Sequence, residues 1–225
     1  MLGAFFGSFM PGIIGGDAVR AYYLNKKANK LSLTLGSIFM DRYLGYVSLM
    51  IIGISATPFA FRYLGDSPYR WLMPLIFGAF IIGSLLFFGL RFGSRFRGIS
   101  DFYDYFVIFK TERGKIFRAV LISFIVQFLN FSIVIILAAG MGEEIPLLLL
   151  FVFLPIVITI TTIPVSISGL GVREGAFVIL LGLIGIRPEI STSLSLAYFF
   201  AVFAGSLPGL AIYFSLTKKV EKVKA

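Results

Sequence analysis

Uncharged apolar runs recur along the chain, separated by short clusters of charge. Tyr43–Phe61, Trp71–Leu90 and Ala119–Gly142 each run about 19–24 residues, long enough to cross a bilayer once as a helix. Ile145–Val172 and Ile190–Thr217 are longer, about 28 residues, and contain Pro155, Pro164 and Pro208, which break or bend helices. Met1–Ile14 and Gly175–Ile186, about 12–14 residues each, are too short to span comfortably. The pattern predicts an all-α fold, a polytopic transmembrane helix bundle with one or two re-entrant helical hairpins. The expected elements are a re-entrant limb over 1–16, spans near 33–61, 71–90, 117–142 and 145–165, a bend over 164–175 with a return limb over 175–186, and a last span over 190–217. All belong to one transmembrane domain, 1–217, followed by a basic tail, 218–225.

Composition agrees with this placement. Of the 225 residues, 58% are hydrophobic and only 14% charged, and the mean hydropathy is +0.96. Disorder needs the opposite balance, and a water-soluble globule of this size could not hide so much apolar surface. There is no Cys and no His. Disulfides, Cys/His zinc sites, thiol nucleophiles and imidazole bases are therefore excluded. The acidic residues form no D-x-D or E-x-x-E cluster, so no metal and no cofactor are expected.

The formal charge of +9 reports orientation and attraction to anionic lipid, not nucleic acid. Arg20, Lys26, Lys27 and Lys30 precede the first full span. Seven basic residues, from Arg91 to Arg118, fill the connection after the second, and Lys218, Lys219, Lys222 and Lys224 close the chain. The opposite side holds only Arg62, Arg70 and Arg187. This asymmetry places the tail in the cytoplasm of a cell-membrane protein. It also requires the segment 145–186 to enter and return, and its returning limb of about 12 residues, ~18 Å, is shorter than the ~30 Å core. Met1–Ile14 lacks the basic start and small-residue cleavage site of a signal peptide and reads as a second half-length limb. Between Arg91 and Arg118, Phe92, Phe96, Ile99, Tyr103 and Phe106 fall on one helical stripe. Periodicity alone leaves open a headgroup-layer helix or a helix packed on the bundle.

Two Pro-led, Gly-rich segments join Arg to acid. One is Pro11-Gly-Ile-Ile-Gly15-Gly16-Asp17-Ala-Val19-Arg20. The other is Pro164-Val-Ser166-Ile-Ser168-Gly169-Leu-Gly171-Val172-Arg173-Glu174-Gly175. Aligned on proline, both carry Gly five, Val eight and Arg nine positions later, so an inverted repeat on paired broken segments is expected. Pro11, Gly15, Gly16, Pro164, Gly169, Gly171 and Gly175 are the candidate hinges. Broken backbone exposes amides that bind anionic oxygens. Arg adds a planar fork for phosphate and is costly in lipid when idle. Arg173 with Glu174 and Arg20 with Asp17 are thus candidate headgroup-binding pairs. The alternatives are an ion pair pinning the bend for Arg173 and a juxtamembrane position for Arg20. Asp41-Arg42 is a third pair. It lies about ten residues deep, ~15 Å, if its helix starts near Leu31, and at the headgroups if 31–40 is a separate interfacial helix. The buried placement is the expectation. Thr159, Thr161, Thr162, Ser166 and Ser168 either bond their own backbone or line a polar path.

The P-G-x-x-G-G-D-x-V-R-A opening, Asp41-Arg42-Tyr-Leu-Gly, and the P-x-S-x-x-G-x-G-V-R-E-G segment together resemble the lysylphosphatidylglycerol synthase/flippase transmembrane family, from about Phe6 to Leu216. The resemblance implies a polytopic inner-membrane domain that translocates lipids, in some members aminoacylated phosphatidylglycerol made by an attached synthase. It carries substrate-binding roles onto Asp17, Arg20, Asp41, Arg42, Arg173 and Glu174. The family pattern has further spans before its first motif, whereas Pro11 lies about ten residues from Met1. A truncated or compact member, or one completed by oligomerisation, is expected.

The functional expectation is a flippase- or scramblase-like transporter of a phosphate-bearing lipid, not an enzyme, with membrane lipids as partners. A homo-oligomer or a separate lipid synthase remains open as a further partner. No G-x-x-x-x-G-K-[ST] is present, so ATP is not the local energy source. The alternatives are a membrane enzyme acting on a lipid or polyprenyl phosphate and a membrane subunit of a separate synthase.

Overall fold

The computed structural model describes residues 14–28, 31–89, 113–163 and 169–209. Among them every regular element is helical, as expected: α1 (Ile14–Ala28), α2 (Leu31–Leu64), a 3-10 turn (Pro68–Trp71), α3 (Leu72–Gly89), α4 (Arg113–Gly140), α5 (Leu147–Thr162), α6 (Val172–Gly182) and α7 (Pro188–Ser206). Pro11 and the limb before it, the aromatic stripe after Arg91, Pro164 with Ser166 and Ser168, and the Lys-rich tail lie outside the described residues. Three of the described helices are long and apolar enough to cross a membrane: Thr34–Leu64, Pro68–Gly89 and Gly114–Gly140. In lipid a helix satisfies all its backbone groups internally, so an uncharged run such as α3 has no competing conformation.

The chain divides into two compact units, residues 25–156 and residues 1–24 with 157–225. In the first, α2 packs on both α3 and α4. Leu49, Met50 and Ala60 of α2, Met73 of α3, and Phe131 and Val134 of α4 are fully buried. A side chain at Gly53 would collide with Met73 Cε, and its Cβ would meet Met73 Sδ at 2.9 Å and Pro155 Cγ at 3.2 Å. Glycine is what lets these elements approach. Rings pin the α2–α3 hairpin at both ends: Tyr43 meets Phe80 at 5.7 Å and Phe88 at 5.2 Å, and Phe61 meets Trp71 edge-on at 5.6 Å. The turn is held by Arg70 Nη1, which donates to Gly65 O at 2.9 Å and Asp66 Oδ1 at 3.1 Å. Gly65 supplies the left-handed residue there, at φ 50°. The Gln127 amide of α4 donates to Gly45 O at 3.2 Å, a direct polar tie to α2. The outward sides of α3 and of the middle of α4 are largely apolar, with Leu75, Leu85, Phe117, Ile122 and Ile136 exposed. Such continuous faces would drive aggregation in water and are at home in hydrocarbon.

In the second unit α6 packs on α7. Ala176, Phe177, Leu180 and Leu181 are buried, as are Ser191, Leu194 and Ser195 of α7. Gly185, at φ 84°, turns the chain, and Ile186 N–H closes back onto Leu181 O at 3.2 Å. Pro188 then opens α7, where its missing N–H is not needed. The 16 residues of α5 and the 11 of α6 reach only about 24 and 16 Å. Both are shorter than a ~30 Å hydrocarbon core.

Three local expectations change. Gly15, Gly16, Asp17 and Arg20 do not form a broken segment: they lie within α1. Two glycines cost a helix only about 1 kcal/mol each, and Asp17 in the first turn complements its positive end. The pair Gly16 and Gly169, equivalent in the sequence repeat, therefore differ in backbone. One is helical and the other is left-handed at φ 76°. Finally, α6 starts at Val172, so Arg173, Glu174 and Gly175 occupy its first turn rather than the bend.

Candidate functional site: a buried guanidinium at the start of a short helix

The first turn of α6 is built by its own sequence. Gly169 and Gly171 take φ values of 76° and 84°, a region that residues with a Cβ rarely adopt. Gly169 also lies where a Cβ would sit 3.1 Å from Thr161 of α5, so the chain passes close to α5. Gly171 is the N-cap residue of α6 and has no side chain to offer. Glu174, three residues on, supplies the cap instead: its Oε2 accepts from the Gly171 N–H. The first helical bond, Gly175 N–H to Gly171 O at 3.0 Å, follows at once.

That cap draws the Glu174 carboxylate back over the helix start, where it meets Arg173. Neighbouring residues on a helix ordinarily point apart. Here Arg173 Nη2 donates to Glu174 Oε1 at 3.2 Å, with side-chain exposures of only 10% and 15%. The remaining partners come from α7. Arg173 Nε donates to Ser195 Oγ at 3.1 Å, and the Ser195 hydroxyl donates to Glu174 Oε1 at 3.3 Å. The guanidinium carbon lies 5.0 Å from the centre of the Phe199 ring, a cation–π contact covering one face. Tyr198 is half-buried beside Phe199.

Arg173 carries five N–H groups. Two have the acceptors just named, and no described residue accepts from the other three. A charge that is nine-tenths buried therefore keeps open donors at the positive end of a helix, the arrangement that binds oxyanions. No described group of three or more His, Cys, Asp or Glu could hold a metal.

The other candidate residues stand elsewhere. Asp17 and Arg20 share a face of α1 at i, i+3, Asp17 half-exposed and Arg20 exposed. The helix containing Asp41 and Arg42 does begin at Leu31, but both side chains are exposed, so the pair is not buried in the protein. They are residues eleven and twelve of α2, between the buried Met40 and Leu44. The hydroxyls of Thr161 and Thr162 bond back to α5 carbonyls, Thr162 to Ile158 O at 2.7 Å. Ser195 and Phe199 were not legible as site residues. Their only sequence signal is their spacing on α7, four apart and so on one face.

A family model described as the lysylphosphatidylglycerol synthase TM region matches residues 1–209. The chain belongs to that family. No curated protein matches it, and no solved structure does. Membership agrees with the apolar helices and makes this a membrane protein with a lipid-related role. Within this family member, the Arg173 site is the place where the described residues concentrate buried charge.

Proposed function

We propose that the protein is a flippase- or scramblase-like transporter that moves a phosphate-bearing lipid across the cell membrane, its basic tail on the cytoplasmic side. One observation carries this: Arg173 is nine-tenths buried yet keeps three N–H donors without acceptors among the described residues. A buried cation with unfilled donors is costly in a membrane protein unless it serves a ligand. The lipid phosphate docks on Arg173 at the start of α6 while its tails stay in the bilayer. The shortness of α5 and α6 supports a re-entrant pair that brings this site to membrane depth. Transport is favoured over catalysis because Ser195, the hydroxyl that meets the carboxylate among the described residues, is fully buried and already accepts from Arg173 Nε. A nucleophile needs access and a free base.

The test is reconstitution in liposomes with a fluorescent phospholipid, reading the fraction that becomes accessible to a membrane-impermeant quencher. Arg173→Ala abolishes translocation while the variant keeps its helical circular dichroism and elution volume. Unchanged translocation in that variant refutes the assignment.

A further inference from the structure

The second helix, α2, is too long for the membrane it crosses. Its 34 residues make about 51 Å of helix, against a hydrocarbon core of ~30 Å. Tilt alone would have to reach about 54°, outside the range of roughly 0–40° that membrane helices adopt. Part of α2 therefore stands outside the hydrocarbon, and α3 shows which part. The 18 residues of α3, about 27 Å, run without a charge from Leu72 to Gly89 and match the core by themselves. At one end of the hairpin Phe61 meets Trp71 at 5.6 Å. That contact levels Phe61 with the start of α3 and leaves only Arg62, Tyr63 and Leu64 of α2 beyond it. At the other end Tyr43 touches both Phe80 and Phe88, at 5.7 and 5.2 Å, and Phe39 stacks on Phe87 at 5.5 Å. Asp41 and Arg42 lie between Phe39 and Tyr43, so they are level with the last turn of α3, about 6 Å before Gly89. Counted along α2, Arg42 stands about 28 Å from Phe61, nearly the full core. The excess is residues 31–40, about 15 Å of helix, in which Thr34, Ile38 and Met40 are buried while Leu31 and Leu35 are exposed.

We infer that Asp41 and Arg42 mark the boundary between hydrocarbon and headgroups, that residues 31–40 stand beyond it, and that Arg42 binds the phosphate of a resident bilayer lipid there. Both side chains are exposed. Charges exposed to lipid in mid-membrane are costly, whereas at the boundary the same exposure puts them among headgroups and water. About one turn below the headgroup plane, an arginine stem runs along the apolar surface and carries its guanidinium up to that plane. Its fork fits two oxygens of a lipid phosphate. The bound lipid is an anchor that sets the depth of the α2–α3 hairpin and is not the transported cargo. The site therefore stands whether or not Arg173 serves transport.

The experiment uses the absence of cysteine from the chain, which lets single cysteines be labelled without removing any. Leu35→Cys and Ile51→Cys replace residues that are 48% and 44% exposed, one on either side of Arg42 along α2. Each variant, eluting as the wild type does, is spin-labelled in bilayers of phosphatidylethanolamine and phosphatidylglycerol. Depth is read from the balance of collisions with oxygen and with a water-soluble nickel chelate. The label at position 35 reads about 10 Å outside the hydrocarbon and the label at position 51 about 14 Å inside it. Both labels reading inside the hydrocarbon would place the pair at mid-depth and overturn the boundary. The lipid contact is read by phosphorus–carbon rotational-echo NMR on the whole chain carrying arginine labelled at Cζ. Phosphate-free buffer leaves lipid as the source of phosphorus. Arg42→Lys removes one arginine's share of the dephased signal. Unchanged dephasing in that variant overturns the lipid contact, even with both depths as expected. Arg173→Ala leaves the depths and the Arg42 contact as they are, so a failure of the transport reading is told apart from a failure here.

Discussion

Arg173 and Ser195 lie twenty-two residues apart in sequence and 3.1 Å apart in space, joined by a bond from Nε to a hydroxyl that is itself shielded from solvent. This contact docks α6 onto α7 and orients the guanidinium. Lysine cannot replace the arginine, because a single ammonium lacks the fork that reaches Ser195 and Glu174 together. Arg173→Lys therefore behaves nearly like Arg173→Ala in the translocation assay. Ser195→Ala lowers stability by about 1.5–3 kcal/mol, the range for hydrogen bonds to charged groups, read from chemical unfolding in detergent. Ser195→Thr recovers part of that loss.

The two left-handed glycines should differ in sensitivity. Forcing a Cβ to such a positive φ costs about 1–3 kcal/mol at each position. At Gly171 nothing lies within 4 Å, so Gly171→Ala carries that strain alone. At Gly169 the new methyl also meets Thr161 Cβ and Cγ2 at 3.1 Å. Gly169→Ala is expected to be the more destabilising, and Thr161→Ser added to it to relieve part of the difference by removing Cγ2. Thermal unfolding of the single and double variants checks the order.

Gly53 tests packing in the other unit. Gly53→Ala pushes into Met73 and Pro155 and costs about 1–3 kcal/mol, the range for overpacking. Truncating Met73 to Ala costs stability too, since that side chain is fully buried. The double variant loses less than the sum of the two, because the collision vanishes with Met73. Additive losses would show that Gly53 matters for another reason.

The candidate arginines should not be equivalent. Arg20 and Arg42 are exposed on α1 and α2, whereas Arg173 is enclosed between α6 and α7. Alanine at Arg173 is expected to abolish lipid translocation, and alanine at Arg20 or Arg42 to reduce it by less than about tenfold, one tenfold step being 1.4 kcal/mol. Equal losses at all three positions would contradict the ranking by burial.

The Gln127 amide presents a balance. Its Nε2 donates to Gly45 O at 3.2 Å, while its Oε1 is buried without a partner among the described residues. Polar ties between membrane helices average about 0.6 kcal/mol, and an orphaned carbonyl offsets such a gain. Gln127→Met therefore shifts stability by less than about 1 kcal/mol in denaturant titrations. A loss well beyond that would point to a bound group satisfying Oε1.

Much of the architecture is legible along the chain. The three long apolar helices and the short α6 follow from where uncharged residues run and where charge interrupts them, whereas α5, expected as a span over 145–165, covers only Leu147–Thr162. Hydropathy and backbone satisfaction in lipid act on each segment alone and need no partner. In the P-x-S-x-x-G-x-G-V-R-E-G segment Gly169 and Gly171, expected as hinges, do take positive φ, but the Glu174 cap that starts α6 at Val172 was not foreseen. The same reasoning failed at Gly15 and Gly16, which sit inside α1. A motif of Gly and Pro permits a break without requiring one, and the helical alternative costs little. Nor could the sequence rank Arg20, Arg42 and Arg173, each an arginine near an acid. Only packing decided that, by setting Ser195 and Phe199 of α7 against one guanidinium and leaving the others at the surface. Burial and donor satisfaction belong to pairs of residues from different helices. They exist only once those helices have met.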